Sequence, residues 1–101
     1  MSLNINKSRN AAQTTLALSG RLDTTTAPEL ETRLRKLLPE TDALVLDFSA
    51  LDYISSAGLR VLLVAQKEMN KKKGRMTLTH VNETVMEVLE VTGFTDILTI
   101  V

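Results

Sequence analysis

The run Ala43-Leu44-Val45-Leu46-Asp47-Phe48 constrains this chain more than any other stretch. Five of its six residues are apolar and no clean alternation breaks them. Such a run reads as a central strand buried on both faces, the kind found in parallel sheets. Helical spacing flanks it on both sides. Leu30, Leu34, Leu37 and Leu38 precede it, and Leu59, Val61, Leu62, Leu63, Val64 and Ala65 follow. Strand and helix in alternation favour right-handed crossovers and a mostly parallel sheet with helices packed against it.

The remaining elements complete that pattern. Leu3 and Ile5 alternate with polar residues, as in an edge strand. Leu16 and Leu18 do the same within Gln13–Ser19, with Gly20 as the break and Asn10-Ala11-Ala12 as a hairpin connection. Thr26-Ala27-Pro28-Glu29 has the form of a capping box, with Thr26 as N-cap, and Pro39 stops the helix that follows. The next helix opens at Ser55 or Ser56 and runs to about Asn70, where Lys71-Lys72-Lys73-Gly74 supplies cations and a C′ glycine. Met76–His80 is a strand. Asn82 caps a last helix with Val85, Val88, Leu89 and Thr92 on one face, ended by Gly93. Phe94, Ile97 and Leu98 then pack the tail on the core. The expected fold is α/β: a mixed, mostly parallel sheet of four to five strands, an antiparallel N-terminal edge, and three to four helices.

Bulk properties exclude several functions. The 101 residues suit a single domain spanning 1–101. Twelve basic and twelve acidic residues balance, which argues against nucleic acid as the partner. There is no cysteine, so neither disulfides nor thiolate chemistry arise, and a reducing cytoplasm is the expected home. No apolar run approaches the ~20 residues of a membrane span, and the N-terminus lacks a signal-peptide pattern. Aromatic residues amount to 3%, too few for a base-stacking or sugar-binding face. One histidine, and carboxylates without ligand spacing, make a poor metal site.

Chemistry concentrates at the strand-to-helix junction. The strand is expected to end at Asp47-Phe48-Ser49, a short loop to follow, and Ser55-Ser56 to open the helix ahead of Gly58. A hydroxyl pair there lies beside free backbone N–H groups, which can hold an anion or a covalent phosphate. The bland alternative is that one serine is simply the N-cap. A phosphoserine would bring about −1.5 to −2 charge, tolerated at a helix N-terminus, so its effect would fall on a docking partner. Gly58 in the first turn would keep that approach open. A nucleophilic serine lacks the G-x-S-x-G elbow and would need His80 with Asp23, Asp47 or Asp52. Asp23 is otherwise a turn residue, of interest if it shares a sheet end with Ser56. Lys67, Lys71, Lys72, Lys73 and Arg75 complement a helix C-terminus. The helix Leu59–Ala65 is apolar beyond one buried stripe, which leaves part of it for an interface beside Ser56.

The segment Leu46–Leu63, with Tyr53-Ile54-Ser55-Ser56-Ala57-Gly58-Leu59, resembles the signature of STAS domains, and more narrowly of bacterial anti-sigma factor antagonists. Gly20-Arg21-Leu22-Asp23 with Thr26-Ala27-Pro28 is similar to their first block, and Val91–Leu98 to their last. The family motif D-S-[ST]-G-L places the regulatory phosphoacceptor on Ser56. Ser55 stands where Asp is frequent and Ala57 where Ser or Thr is frequent; Ser55 stays open as a second acceptor. The resemblance implies a phosphorylation-controlled partner switch without enzymatic activity or cofactor of its own. Its partners would be an anti-sigma factor that is itself a serine kinase, and a metal-dependent serine phosphatase. Asp23, Ser55, Ala57, Gly58, Leu59 and Arg60 would form the partner-binding surface. Two other outputs within the family stay open: an adaptor in secretion or stress signalling, and a constitutive subunit of a membrane transporter assembly. A small hydrolase using Ser56 is the enzyme alternative.

Overall fold

The computed structural model describes residues 3–10 and 13–101. Five strands form one sheet in the order β1-β2-β3-β4-β5: β1 Leu3–Asn10, β2 Gln13–Leu22, β3 Ala43–Ile54, β4 Arg75–Thr79 and β5 Thr99–Ile100. The β1–β2 pair is antiparallel and every other pair is parallel. Helices α1 (Ala27–Leu37), α2 (Ser56–Lys71) and α3 (Glu83–Val91) fill the crossovers. This is the expected α/β arrangement with its antiparallel edge. Residues 11 and 12 of the expected hairpin connection lie outside the described residues.

The central strand departs from expectation in two ways. It is not buried on both faces. The strand order rises without reversal, so right-handed crossovers put α1, α2 and α3 on the same face. Leu16, Leu18, Leu44, Leu46, Phe48, Met76 and Leu78 point to that face and are at most 1% exposed. The residues between them, Thr15, Ala17, Ala43, Val45, Asp47, Thr77 and Thr79, are only half-buried. Ser8, Thr15, Val45, Thr77 and Thr99 form one cross-strand row on this open face. Ala43 and Val45 made the run look continuous, yet they belong to that row system of small side chains.

Nor does β3 stop at Ser49. It runs on to Ile54 through the stretch expected as a loop. Register shifts opposite Ala17–Ser19 and Gly20–Arg21 change the burial period, so that Leu51 and Ile54 reach the core. Gly20, at φ 102°, lies opposite a bulge in β3, and β2 continues to Leu22 instead of breaking. Beyond β4, the other edge of β3 is closed by α3: Asn82 Nδ2 donates to the Leu51 carbonyl at 2.7 Å. Asn82 Oδ1 also caps α3, accepting from Val85 N at 2.8 Å.

Two helix ends differ as well. At the end of α2 it is Lys73, not Gly74, that takes the left-handed conformation (φ 60°). Gly74 is required for space, since a Cβ there would lie 2.8 Å from Met69 Cε and 2.9 Å from the Asp42 carbonyl oxygen. Lys72 reaches across to the Leu38 and Thr41 carbonyls at 2.6 and 2.8 Å. In the last helix Val85 and Leu89 are buried and Val88 is half-buried, but Thr92 is exposed and bonds back to the Val88 carbonyl. Gly93 ends it in the left-handed region, as expected. In the tail, Leu98 is buried and Phe94 packs against the core, whereas Ile97 stays exposed.

Candidate functional site

Parallel pairing brings the C-terminal ends of β2 and β3 together. Leu22 lies opposite Ile54, and Ser55 N donates to the Leu22 carbonyl at 2.9 Å. Asp23 follows Leu22 and Ser56 follows Ser55, so topology places both at one end of the sheet. The grouping of Asp23 with the serine pair thus has a backbone cause.

The two serines are not equivalent. Ser55 has extended backbone and is the N-cap of α2: its Oγ accepts from Gly58 N at 3.4 Å, and its carbonyl accepts from Leu59 N at 2.9 Å. Ser56 is the first helical residue and is exposed, with no hydrogen bond to its hydroxyl among the described residues.

Asp23 organises the β2–α1 turn. Its Oδ1 accepts from Thr25 N (3.0 Å), Thr25 Oγ1 (2.8 Å) and Thr26 N (3.1 Å). The Thr25 hydroxyl is the largest cause holding the carboxyl at about 2, with the Thr25 and Thr26 N–H groups adding to it against the opposing effect of burial. This replaces the expected capping box. Thr26 already has helical φ and ψ and makes no side-chain cap. Its hydroxyl instead accepts from Asp23 N and donates to the Arg21 carbonyl, both at 2.8 Å. The short Asp23 side chain outcompetes Thr26 because it reaches two successive N–H groups of the turn.

Gly58 does not hold an approach open. It is buried, and a Cβ there would stand 2.7 Å from Leu22 Cγ and 3.0 Å from Ile54 Cγ1. The glycine lets the first turn of α2 settle on the ends of β2 and β3. Leu59 is likewise buried, at 6% exposure, and presents no side chain to a partner. Ala57 is half-buried and Arg60 is exposed, one turn beyond Ser56.

Two residues outside the expected set join this end. The Arg21 guanidinium lies 4.2 Å from the centre of the Tyr53 ring, and its Nε is 3.5 Å from Asp23 Oδ2. Arg21 and Tyr53 are direct partners across β2 and β3. Their signal in the sequence was weak, because an expected loop at Asp52-Tyr53 hides the register that pairs them.

His80 lies elsewhere. Its Nδ1 is 3.3 Å from Asp47 Oδ1, seven strand residues before Ile54, which is on the order of 20 Å along β3. The Ser56–His80 pairing that a hydrolase needs is therefore not formed. Asp47 is held below the usual carboxylate range, chiefly by the Ser49 N–H, with His80 as a lesser contribution. Among the described residues, no group of three His, Cys, Asp or Glu could hold a metal, and no helix is long and apolar enough to cross a membrane. A groove of about 520 Å³ between α1 and α2, with Leu34, Val61, Val64 and Ala65 among its lining, is lined by none of the expected site residues.

Comparison with known proteins places these features in a family. The family model described as "Mlab, STAS domain" matches residues 5–100. BtrV of Bordetella bronchiseptica, assigned to the anti-sigma factor antagonists, is 38% identical over 81 residues, covering 79% of this chain and 70% of that protein. The anti-sigma-B factor antagonist of Bacillus subtilis (strain 168) is 26% identical over 100 residues, 99% of this chain and 92% of the relative. Among solved structures, the Bacillus cell fate determinant SpoIIAA in its phosphorylated form superposes with a TM-score of 0.77 at 16% identity, covering 97% of this chain and 91% of that one.

Proposed function

This chain belongs to the STAS domain family, and on that premise we propose that it is an anti-sigma factor antagonist that switches partners under control of phosphorylation at Ser56. One observation carries the choice of residue. Ser55 Oγ is held by the Gly58 N–H, while the Ser56 hydroxyl is exposed on the first turn of α2, with no hydrogen bond among the described residues. The names of the relatives support the class of partner, and a phosphorylated SpoIIAA supports the class of modification.

The unmodified chain docks, through Ser56, Ala57, Arg60 and Asp23, on an anti-sigma factor that is a serine kinase. It thereby frees that factor's target. The kinase transfers the terminal phosphoryl group of ATP to Ser56 Oγ, which loses its proton as ADP is released. The new dianionic charge meets the positive end of α2, so the fold tolerates it. A partner packed on the same surface does not, because an uncompensated charge in an interface costs several kcal/mol. Asp23 is ionised at neutral pH and adds to the local negative charge. A metal-dependent serine phosphatase resets the switch. The chain works as substrate and binding module, in keeping with relatives named as anti-sigma factor antagonists.

The test is to incubate the chain with a candidate serine-kinase anti-sigma factor and Mg-ATP, then measure intact mass and map peptides. One phosphate on Ser56 is expected, retained in Ser55→Ala and absent in Ser56→Ala. Ser56→Asp should weaken kinase binding on the order of a hundredfold, equivalent to ~3 kcal/mol, with unchanged circular dichroism. Phosphate on Ser55, or normal binding by Ser56→Asp, overturns the reading. Stable binding without any phosphate makes the chain a constitutive adaptor.

A further inference from the structure

Tyr53 is the chain's one tyrosine, 37% exposed, and the Arg21 guanidinium is stacked on it. Of the other two aromatic residues, Phe48 is fully buried and Phe94 packs against the core. Leu22 and Ile54, one residue on from Arg21 and Tyr53, turn into the core beneath Gly58 and α2. Side chains alternate along a strand, so Arg21 and Tyr53 point to the opposite, helix-free face. The sheet end thus has two sides: Ser56 on the helix side and the Arg21–Tyr53 pair on the other. Asp23 joins them, bonded to the α1 turn through Oδ1 and facing Arg21 through Oδ2.

We propose that Arg21 and Tyr53 form a second docking element for the kinase partner, so that the partner straddles the ends of β2 and β3. This rests on the partner-switching reading above. Three features support an interface role. Tyrosine and arginine are the residue types that dominate binding energy when covered by a partner. Stacking between them restricts both side chains before binding, which lowers the ordering cost on association. And the pair is continuous, through Asp23 and the Ser55–Leu22 hydrogen bond, with the phosphorylated edge. The chemistry defines the complementary surface. It offers a carboxylate to the outer edge of the Arg21 guanidinium and an apolar side chain to the free part of the Tyr53 ring. Ser56 then reports the phosphorylation state, while Arg21 and Tyr53 supply sequence-specific affinity that a serine and an alanine cannot.

The probe is the kinase that phosphorylates the wild-type chain in the assay above, with binding measured by calorimetry in ADP. Tyr53→Ala and Arg21→Ala should each raise Kd at least tenfold. The double variant should lose little beyond the worse single one, because the two side chains act as a unit. Tyr53→Phe, which keeps the ring, should restore most of the affinity. Tyr53→Ala leaves the Asp23 hydrogen bonds untouched, so it separates docking from any loosening of the turn in Arg21→Ala. Tyr53→Ala binding within twofold of wild type, while Ser56→Asp does not bind, overturns this proposal and leaves the switch standing. Wild-type chain that neither binds nor accepts phosphate from such kinases removes the switch itself, and this docking element with it.

Discussion

Ser55 and Ser56 carry the same hydroxyl, but only Ser55 stands ahead of the helix, where its oxygen accepts from Gly58 N. Either serine can be the cap on sequence alone; one residue of helix phase makes Ser55 the cap and leaves Ser56 exposed. Asp23 shows a similar dependence on its surroundings. Read as a sequence it is a turn residue, and only the folded turn gathers the Thr25 and Thr26 donors around it. This has a pH consequence. The carboxyl is held at about 2, below its ordinary 3.8, so the folded state favours the ionised form. Its contribution to stability is complete above the unfolded value and disappears as pH falls from about 4 to 2. An acid titration of thermal stability should show a decline in that window for the wild-type chain. In Asp23→Asn the decline should be shallower there, with a lower plateau at neutral pH.

Among the elements, β3 is the least legible in the sequence. Its first half is legible because Leu44, Leu46 and Phe48 are strongly apolar. Its second half, Ala50–Ile54, loses the period of two at the bulges, and Ser49, Asp52 and Tyr53 imitate a loop. The helices were more legible, since Leu30, Leu34 and Leu37 of α1, and Val85 and Leu89 of α3, recur at three and four residues. Asn82 ties the extension of β3 to the start of α3 with one side chain. Asn82→Ala should cost about 2 kcal/mol, a cap and a hydrogen bond together. Asn82→Asp keeps the acceptor for Val85 N and loses the donor to the Leu51 carbonyl, so about half that loss is expected. Chemical denaturation of the three proteins checks the split.

At the scale of the molecule, α1, α2 and α3 crowd one face of the sheet, and the middle of the other carries short polar and small apolar side chains, with Arg21 and Tyr53 at its end. This asymmetry predicts unequal responses to equal truncation of adjacent residues. Leu46→Ala, on the helix side, should destabilise by about 3 kcal/mol. Val45→Ala, on the open side, should cost about 1 kcal/mol or less. Each kcal/mol corresponds to roughly 4–8 °C in Tm for a domain of this size, so thermal melts separate the two variants readily. Similar losses at both positions would mean that something covers the open face.

The order of strands and helices, the antiparallel edge, the three helix cores and the location of the serine pair are all legible along the linear chain. Those features follow from short-range periodicity and from local capping chemistry, which a linear chain displays directly. Four features arise only on folding: the open face of β3, the continuation of that strand, the burial of Gly58 and Leu59, and the meeting of Arg21 with Tyr53 beside Asp23. The open face follows from a strand order that never reverses, which puts every crossover helix on one side, and the other three depend on which residue of β2 lies opposite which residue of β3. Two bulges reset that register, and a period read along one strand has no access to it.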